Sequence, residues 1–382
     1  MKSRILIQAA VAAGVSVAVA ACGGKSSTPT SPAPVNATLS APKLEAPLAS
    51  AQLDTLRPTL TVQNVTSDQP SGTRTYEFQI ADTTAFSAAT TQSINGFDAT
   101  VGKTGVAEGG GRTSFTVESD LQPTTMFFWR ARATQGAVTG PWSETFQFKS
   151  KLVGFNRAGE LYDPLIHGET IGTIVGSASF VPGRGLRLNN GTSHVRYLLA
   201  ATVTSGEFSM DVEGLAANGP GDKAKVFGMQ EGQDDFITNR YRVDIQYRGV
   251  LGFPPNAITF RALYGDGDDL DKRYEPDTGT RMRSVYALNP AATYFWRANW
   301  GSEFRVIVRD GGLNATGING TTIYNIGMPS LKGTYAPSTH YAYLGAPVGR
   351  SGTESASIGG AIYRNVYIGS KPRPETLGSA LR

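Results

Sequence analysis

The sequence predicts an all-β chain built as two sandwiches in series. Three observations carry this. The 382 residues include 45 Gly and 21 Pro. They punctuate short runs rich in Val, Thr and Tyr with Asn-Gly, Asp-Gly and Pro-Gly turn signals, the composition of short strands joined by tight turns. Beyond residue 22 no stretch keeps apolar residues at helical spacing, whereas many segments alternate apolar and polar positions with period two. Finally, LQPTTMFFWRA at Leu121 to Ala131 is echoed by LNPAATYFWRA at Leu288 to Ala298. In each, a proline turn sets the backbone before an aromatic-rich strand, so two separate β-domains enter a central strand in the same way.

Residues 1–21 read as an export signal. Lys2 and Arg4 give a short positive segment, and Ile5 to Ala21 is apolar and rich in small residues, too short and too weakly flanked for a membrane span. Val19-Ala20-Ala21-Cys22-Gly23 resembles the lipobox of bacterial lipoproteins. The resemblance implies cleavage before Cys22, lipidation of its thiol and acylation of the new amino terminus. Two or more acyl chains anchor stably where one is marginal. Cys22 is the single cysteine, which excludes a disulfide within the chain. The implied location is the cell envelope, lipid-anchored at the outer membrane or the cell surface. Residues 22–50 are rich in Ser, Thr, Pro and Ala and short of the aromatic and branched residues that build a core, so a disordered tether is expected there. The formal net charge of +4 becomes about +2 when Lys2 and Arg4 leave (4 − 2), which gives no general electrostatic case for nucleic acid.

Residues 51–149 form the first expected domain. Pro58 to Val62, Thr75 to Ile80, Thr113 to Val117, Thr125 to Ala133 and Thr145 to Phe148 alternate as strands do. Leu121-x-Pro123-x-Thr125-x-Phe127, followed by Gly140-Pro-Trp142-Ser143, resembles a bacterial fibronectin type III module, an immunoglobulin-like sandwich. Phe127 stands where that family's corner tyrosine usually ties its hydroxyl to the backbone, and the early-strand tryptophan of animal modules is missing. The expected role is that of a spacer. Arg130 and Arg132 alternate with Trp129 and Ala131 and are expected on the outer face, stacked on Trp142.

Residues 150–372 hold at least eight further strands, too many for an immunoglobulin-sized sandwich and suited to a two-sheet jelly roll, with 373–382 left as a tail. Several features resemble the concanavalin A-like, laminin-G-like family: Gly183-x-Gly-Leu-x-Leu188, the Tyr294-x-Trp296 strand, the strand ending Asp310-Gly311, Leu344-Gly345, and Ile362 to Gly369. That family has a concave sheet, and the resemblance implies that a polar sheet face holds a saccharide by hydrogen bonds and aromatic stacking. Strand alternation supplies candidates: Asp211 and Glu213; Arg242, Asp244 and Gln246; Arg297 and Asn299. Trp300, beside Gly301 at a turn, is expected to reach the rim.

The chemistry is open. A retaining glycosidase needs two carboxyls about 5 Å apart. The laminarinase-like branch of the fold draws them from Glu-x-Asp-x-x-Glu, and Ser209 breaks that pattern ahead of Asp211. A polysaccharide lyase needs an amide or arginine to neutralise a uronate, with His or Tyr as base and acid. Arg242, Gln246, His340 and Tyr343 supply those types. Asp266, Asp268, Asp269 and Asp271 offer oxygen ligands for a structural calcium, although their spacing is not that of the helix-loop-helix calcium loop. No other cofactor is expected, and nothing marks a zinc site. Three functions fit. The favoured one is a membrane-anchored, non-catalytic lectin-like protein that binds carbohydrate or another envelope component. The others are an exported lyase or glycoside hydrolase, and a structural protein with protein partners in the envelope.

Overall fold

A computed structural model describes residues 37–69, 71–86, 93–94, 97–98, 100–215, 224–230, 241–248, 257–264, 271–272, 284–285, 288–301, 303–312, 320–329, 339–346 and 356–381. The protein is all-β, with a single turn of 3-10 helix at Ser379–Leu381 among the described residues.

The first sandwich packs a sheet of Lys43–Ala46, Thr59–Gln63 and Arg112–Thr116 against one ordered Ala51–Gln52, Phe146–Lys149, Met126–Gln135, Arg74–Ala81, Thr100–Ala107. Strands close in sequence are thereby split between the two sheets, as in fibronectin-like sandwiches. The domain begins earlier than its composition suggests. Leu39 and Leu44 are buried in its core, and Lys43–Ala46 pairs with Thr59–Gln63. Two buried leucines thus draw the end of the expected tether into the fold. Tyr76 does what Phe127 cannot: its hydroxyl accepts the Val65 N–H at 2.8 Å and donates to Glu108 at 3.2 Å. Burial pushes that phenol up to about 12. Phe127 instead stacks on Phe148 at 5.8 Å. Arg130 and Arg132 each place a guanidinium over the Trp142 ring, 4.3 Å from its centroid, with Arg130 also over Phe86. That stack is worth about 0.5–1 kcal/mol per contact.

The second sandwich has two sheets of seven principal strands. The back sheet runs Phe155–Arg157, Glu160–Asp163, Ile362–Gly369, Gly206–Glu213, Thr293–Trp300, Glu303–Asp310, Thr322–Pro329. The front sheet runs Thr173–Val175, His194–Val203, Thr339–Leu344, Ala224–Gln230, Tyr241–Arg248, Ala257–Tyr264, Asp271–Lys272. Between them lies one core. Phe208 meets Phe227 edge-on at 4.4 Å, and the Tyr363 hydroxyl crosses from the back sheet to the Val226 carbonyl at 2.9 Å. The Gly183-x-Gly185 motif has a steric cause. Gly185 has φ 132°, and a Cβ there would stand 2.2 Å from the Tyr363 carbonyl oxygen.

Asp163 fastens the loop that joins the two sheets. Its carboxylate accepts the Leu165 and Ile171 amides, the Thr170 hydroxyl and the Tyr197 hydroxyl at 2.6 to 3.1 Å. Burial nevertheless raises its pKa above the ordinary 3.8, because desolvation outweighs those bonds.

The segment expected as a C-terminal tail is instead the seam between the domains. Thr124, at φ 54°, offers its carbonyl to the Gly378 and Ala380 amides at 2.9 and 3.2 Å. The Met126 amide donates to the Ser379 hydroxyl at 2.7 Å, and Thr376 reaches Asp82 of the first sandwich at 3.0 Å. Arg373 is buried over the Tyr162 ring and donates to the Asn365 backbone and side-chain oxygens and to the Leu377 carbonyl.

Two predictions follow from this packing. With the folded pKa of Asp163 above its ordinary value, protonation favours the fold. The contribution is fully present below about pH 3.8 and is lost as pH rises through the folded pKa. Urea midpoints of wild type relative to Asp163→Asn should therefore climb as pH falls from 7 towards 3.5; a pH-independent difference would refute this. Arg373→Ala, which strands several buried acceptors, should cost about 2–4 kcal/mol. Calorimetry should show the second sandwich melting apart from the first in that variant.

Candidate functional site

The structure divides the sequence candidates between three places. Asp211, Glu213, Arg297 and Asn299 belong to the back sheet. Arg242, Asp244, Gln246 and Tyr343 belong to the front sheet. Trp300 belongs to neither outward face. It is 3% exposed and sits in the core between the sheets, not at a rim, because its strand keeps the parity of Trp296 and Ala298 to its last residue.

Two of the back-sheet candidates, Asp211 and Glu213, have bonded partners within the sheet. Asp211, 2% exposed, accepts the Asn365 side-chain amide at 3.3 Å and faces the Arg364 guanidinium at 3.7 Å. Glu213 pairs with Arg184. Arg297 stands in register with Ser209 and Ile307, and Asn299 with Glu207 and Arg305. Arg309, one row away, has its pKa lowered by burial and by the charge of Arg297. Tyr162, Tyr367 and Leu377 form a small apolar cluster on this side of the sheet, where the C-terminal segment lies. Much of this face is therefore interior.

On the front sheet, Tyr343 is 1% exposed and its hydroxyl accepts the Gln230 side-chain amide at 3.1 Å. The imidazole beside it is that of His194, with ring centroids 5.7 Å apart. His340, the histidine singled out in the sequence, is exposed at the start of its strand, 6.5 Å from the Tyr341 ring. Residues 340 and 343 have opposite parity in a strand, whereas register brings Tyr343 opposite Arg196, two positions from His194. Only cross-strand register brings His194 and Tyr343 together, so no local motif in the chain marks the pair.

The remaining polar residues fall into rows across this sheet. Arg196, Tyr343, Gly228, Asp244 and Arg261 are successive cross-strand partners. Gln230 stands between Tyr341 and Arg242, and Lys225 opposite Gln246. Gly228 leaves the centre of the first row without a side chain. Gln230 and Lys225 are 4% and 1% exposed. The arrangement offers an amide, a phenol, an imidazole and cations around a backbone floor, which suits recognition of a polyhydroxylated ligand and, at Tyr343 and His194, proton transfer.

Cys22, Asp266, Asp268 and Asp269 lie outside the described residues. Asp271 pairs in register with Tyr264. Among the described residues no group of three or more His, Cys, Asp or Glu is placed to hold a metal ion, and no helix is long and apolar enough to cross a membrane.

No family model matches the chain, and no curated protein matches it. Among solved structures it is similar to the Streptomyces avermitilis alpha-L-rhamnosidase complexed with L-rhamnose, at 11% identity and a TM-score of 0.24, over 86% of this chain and 36% of that one. It is also similar to the chicken CNTN1 FN1-FN3 domains, at 12% identity and a TM-score of 0.18, over 76% of this chain and 66% of that one. The chain thus spans about a third of the first neighbour and two thirds of the second.

The two faces should separate under mutation. Asp211→Ala breaks a buried polar network and should cost about 3 kcal/mol. Tyr343→Phe removes one neutral hydrogen bond and should cost about 1 kcal/mol. Urea midpoints of the two variants check this, and a larger loss for Tyr343→Phe would mean that the front face too is chiefly structural.

Proposed function

We propose that this is an exported, lipid-anchored carbohydrate-binding protein, in which the fibronectin-like sandwich is a spacer and the front sheet of the jelly roll holds a glycan. One observation carries the reading: Gln230, Tyr343 and His194 are nearly dry, yet they cluster on the outward side of a sheet whose other side is core. Polar groups gathered in this way around a side-chain-free position form hydrogen-bonding sites for hydroxyl-rich ligands. The export signal and the lipobox-like sequence at Cys22 support delivery to the envelope.

A second reading rests on the His194–Tyr343 contact, since elimination from a uronate needs such a pair. One of the two takes the proton on the carbon next to the carboxyl. The other protonates the leaving glycosidic oxygen, so that a carbon–oxygen bond breaks and a carbon–carbon double bond forms.

The test is direct binding of the full chain, purified in detergent, to a panel of polysaccharides by calorimetry, with product absorbance followed in parallel. At least one glycan should bind, and Tyr343→Phe or Gln230→Ala should weaken it about tenfold, the scale of one hydrogen bond lost from a buried site. Absence of binding across the panel would defeat the proposal. Cleavage that disappears in Tyr343→Phe and His194→Ala but persists in His340→Ala would move the assignment to a lyase.

A further inference from the structure

We infer that the outward face of the back sheet carries a second ligand site, for a small zwitterion, a free amino acid; this goes beyond the glycan-binding reading of the front sheet and does not depend on it. The observation is a set of buried polar atoms that the fold leaves unbonded. Glu207 and Ser209 are 2% and 0% exposed, yet Glu207 Oε1 and Ser209 Oγ have no hydrogen-bond partner among the described residues, nor has the buried Nε of Arg297 or of Arg373. Folded chains bond nearly all such atoms, so several in one place mark a site that something else completes. Register gathers them. Ser209 stands opposite Arg297 and Glu207 opposite Asn299, which makes Glu207 and Arg297 diagonal neighbours on adjacent strands. They lie on the side away from Phe208 and Met210, which face the core. Arg373 comes over the same stretch from the C-terminal segment. Burial lowers its pKa, while Tyr162, Asp211 and Glu207 act against that shift, and Asp211 and Glu207 flank Ser209 in the strand.

The groups nearest to Glu207 are committed elsewhere. Gly369, its partner on the other side, has no side chain, and the space over it is taken by the Tyr367 hydroxyl, which lies 3.0 Å from both Glu160 and the Lys371 carbonyl. Arg364 faces Asp211, and the terminal nitrogens of Arg373 go to Asn365 and Leu377. The ligand class follows from the charges that are left. Diagonal positions on paired strands are about 7 Å apart, within reach of long side chains, so a carboxylate and a guanidinium placed there ordinarily close on one another. Glu207 Oε1 and Arg297 Nε instead stay unbonded. Opposite charges held apart in a dry site match a molecule that carries both, with its ammonium donating to Glu207 and its carboxylate accepting from Arg297 and from the Ser209 hydroxyl. A neutral sugar needs neither charge, and a simple anion leaves Glu207 without a donor. Arg297 and Asn299, both half-buried, form the open side.

The experiment follows thermal unfolding of the full chain in detergent, alone and titrated with glycine, alanine, glutamate, arginine, acetate, methylamine or glucose. At least one amino acid should raise the Tm in a concentration-dependent way, and acetate, methylamine and glucose should not. Glu207→Gln and Arg297→Gln should each lose that rise. Ligand-free Glu207→Gln should be no less stable than wild type, because it removes a buried charge that the chain does not bond; a lower Tm would make Glu207 a structural residue and overturn the inference. Arg297 is half-buried, so its variant carries the test if Glu207→Gln does not fold. A Tm that no amino acid raises would mean that ordered water alone completes the site, and overturns the inference. So does a rise as large with acetate or glucose, or one unchanged in Arg297→Gln. Polysaccharide binding at Tyr343 and Gln230 is read separately, so failure here leaves the glycan-binding function standing.

Discussion

The second sandwich is governed by one constraint: two sheets must each give one face to a shared core. A strand has only two faces, so once alternate residues are apolar and buried, every polar residue between them is committed to the outward side. Phe208, Met210 and Val212 fix the sense of the strand that carries Asp211, and Ala342 and Leu344 fix that of Tyr343. The charged residues of the domain are therefore sorted into two outward faces before any question of ligand arises. What differs is what happens to each face next.

On the back sheet the outward face becomes a second interior. The C-terminal segment reaches Thr124 and Met126 of the first sandwich while Arg373 lies over Tyr162. Burial of this kind is costly for charged groups, and desolvation raises the pKa of Glu160 and lowers that of Arg373. The cost is met by pairing: Arg157 with Glu160, Tyr367 with Glu160, Arg373 with Asn365. A polar seam of this sort is specific in register where an apolar one would slide, because each donor has a particular acceptor. Thr124, in a backbone conformation that a β-branched residue seldom adopts, is held there by the two amides that its carbonyl accepts.

Much of the fold was legible because period-two alternation is a local signal. The repeated proline turn and aromatic strand do mark core strands in both sandwiches, with Trp129 and Trp296 fully buried. The outward placement of Arg130 and Arg132, which lets them stack on Trp142, also follows from alternation. Long-range register was not legible. Sequence placed Asp211 and Arg242 on equivalent polar faces but carried nothing to say that they belong to different sheets, or that the C-terminal segment would cover one of them. The Lys43–Ala46 strand was hidden for a related reason: two leucines among prolines read as tether until a partner strand is present. Sequence could not favour His194 over His340, because its neighbour, Tyr343, is 149 residues away, a separation that only strand pairing closes.

The two faces of the second domain also differ in what selects their residues. A matched ion pair in a seam is explained by the seam; removing one member leaves the other buried and uncompensated, so the pair persists together. The front sheet is built differently. Its buried polar groups gather round a position without a side chain: Gln230 bonds Tyr343, and Gly228 stands opposite Tyr343. Local departures from the arrangement that best serves folding are expected where a ligand completes the site. On that argument the front sheet is the face to probe first.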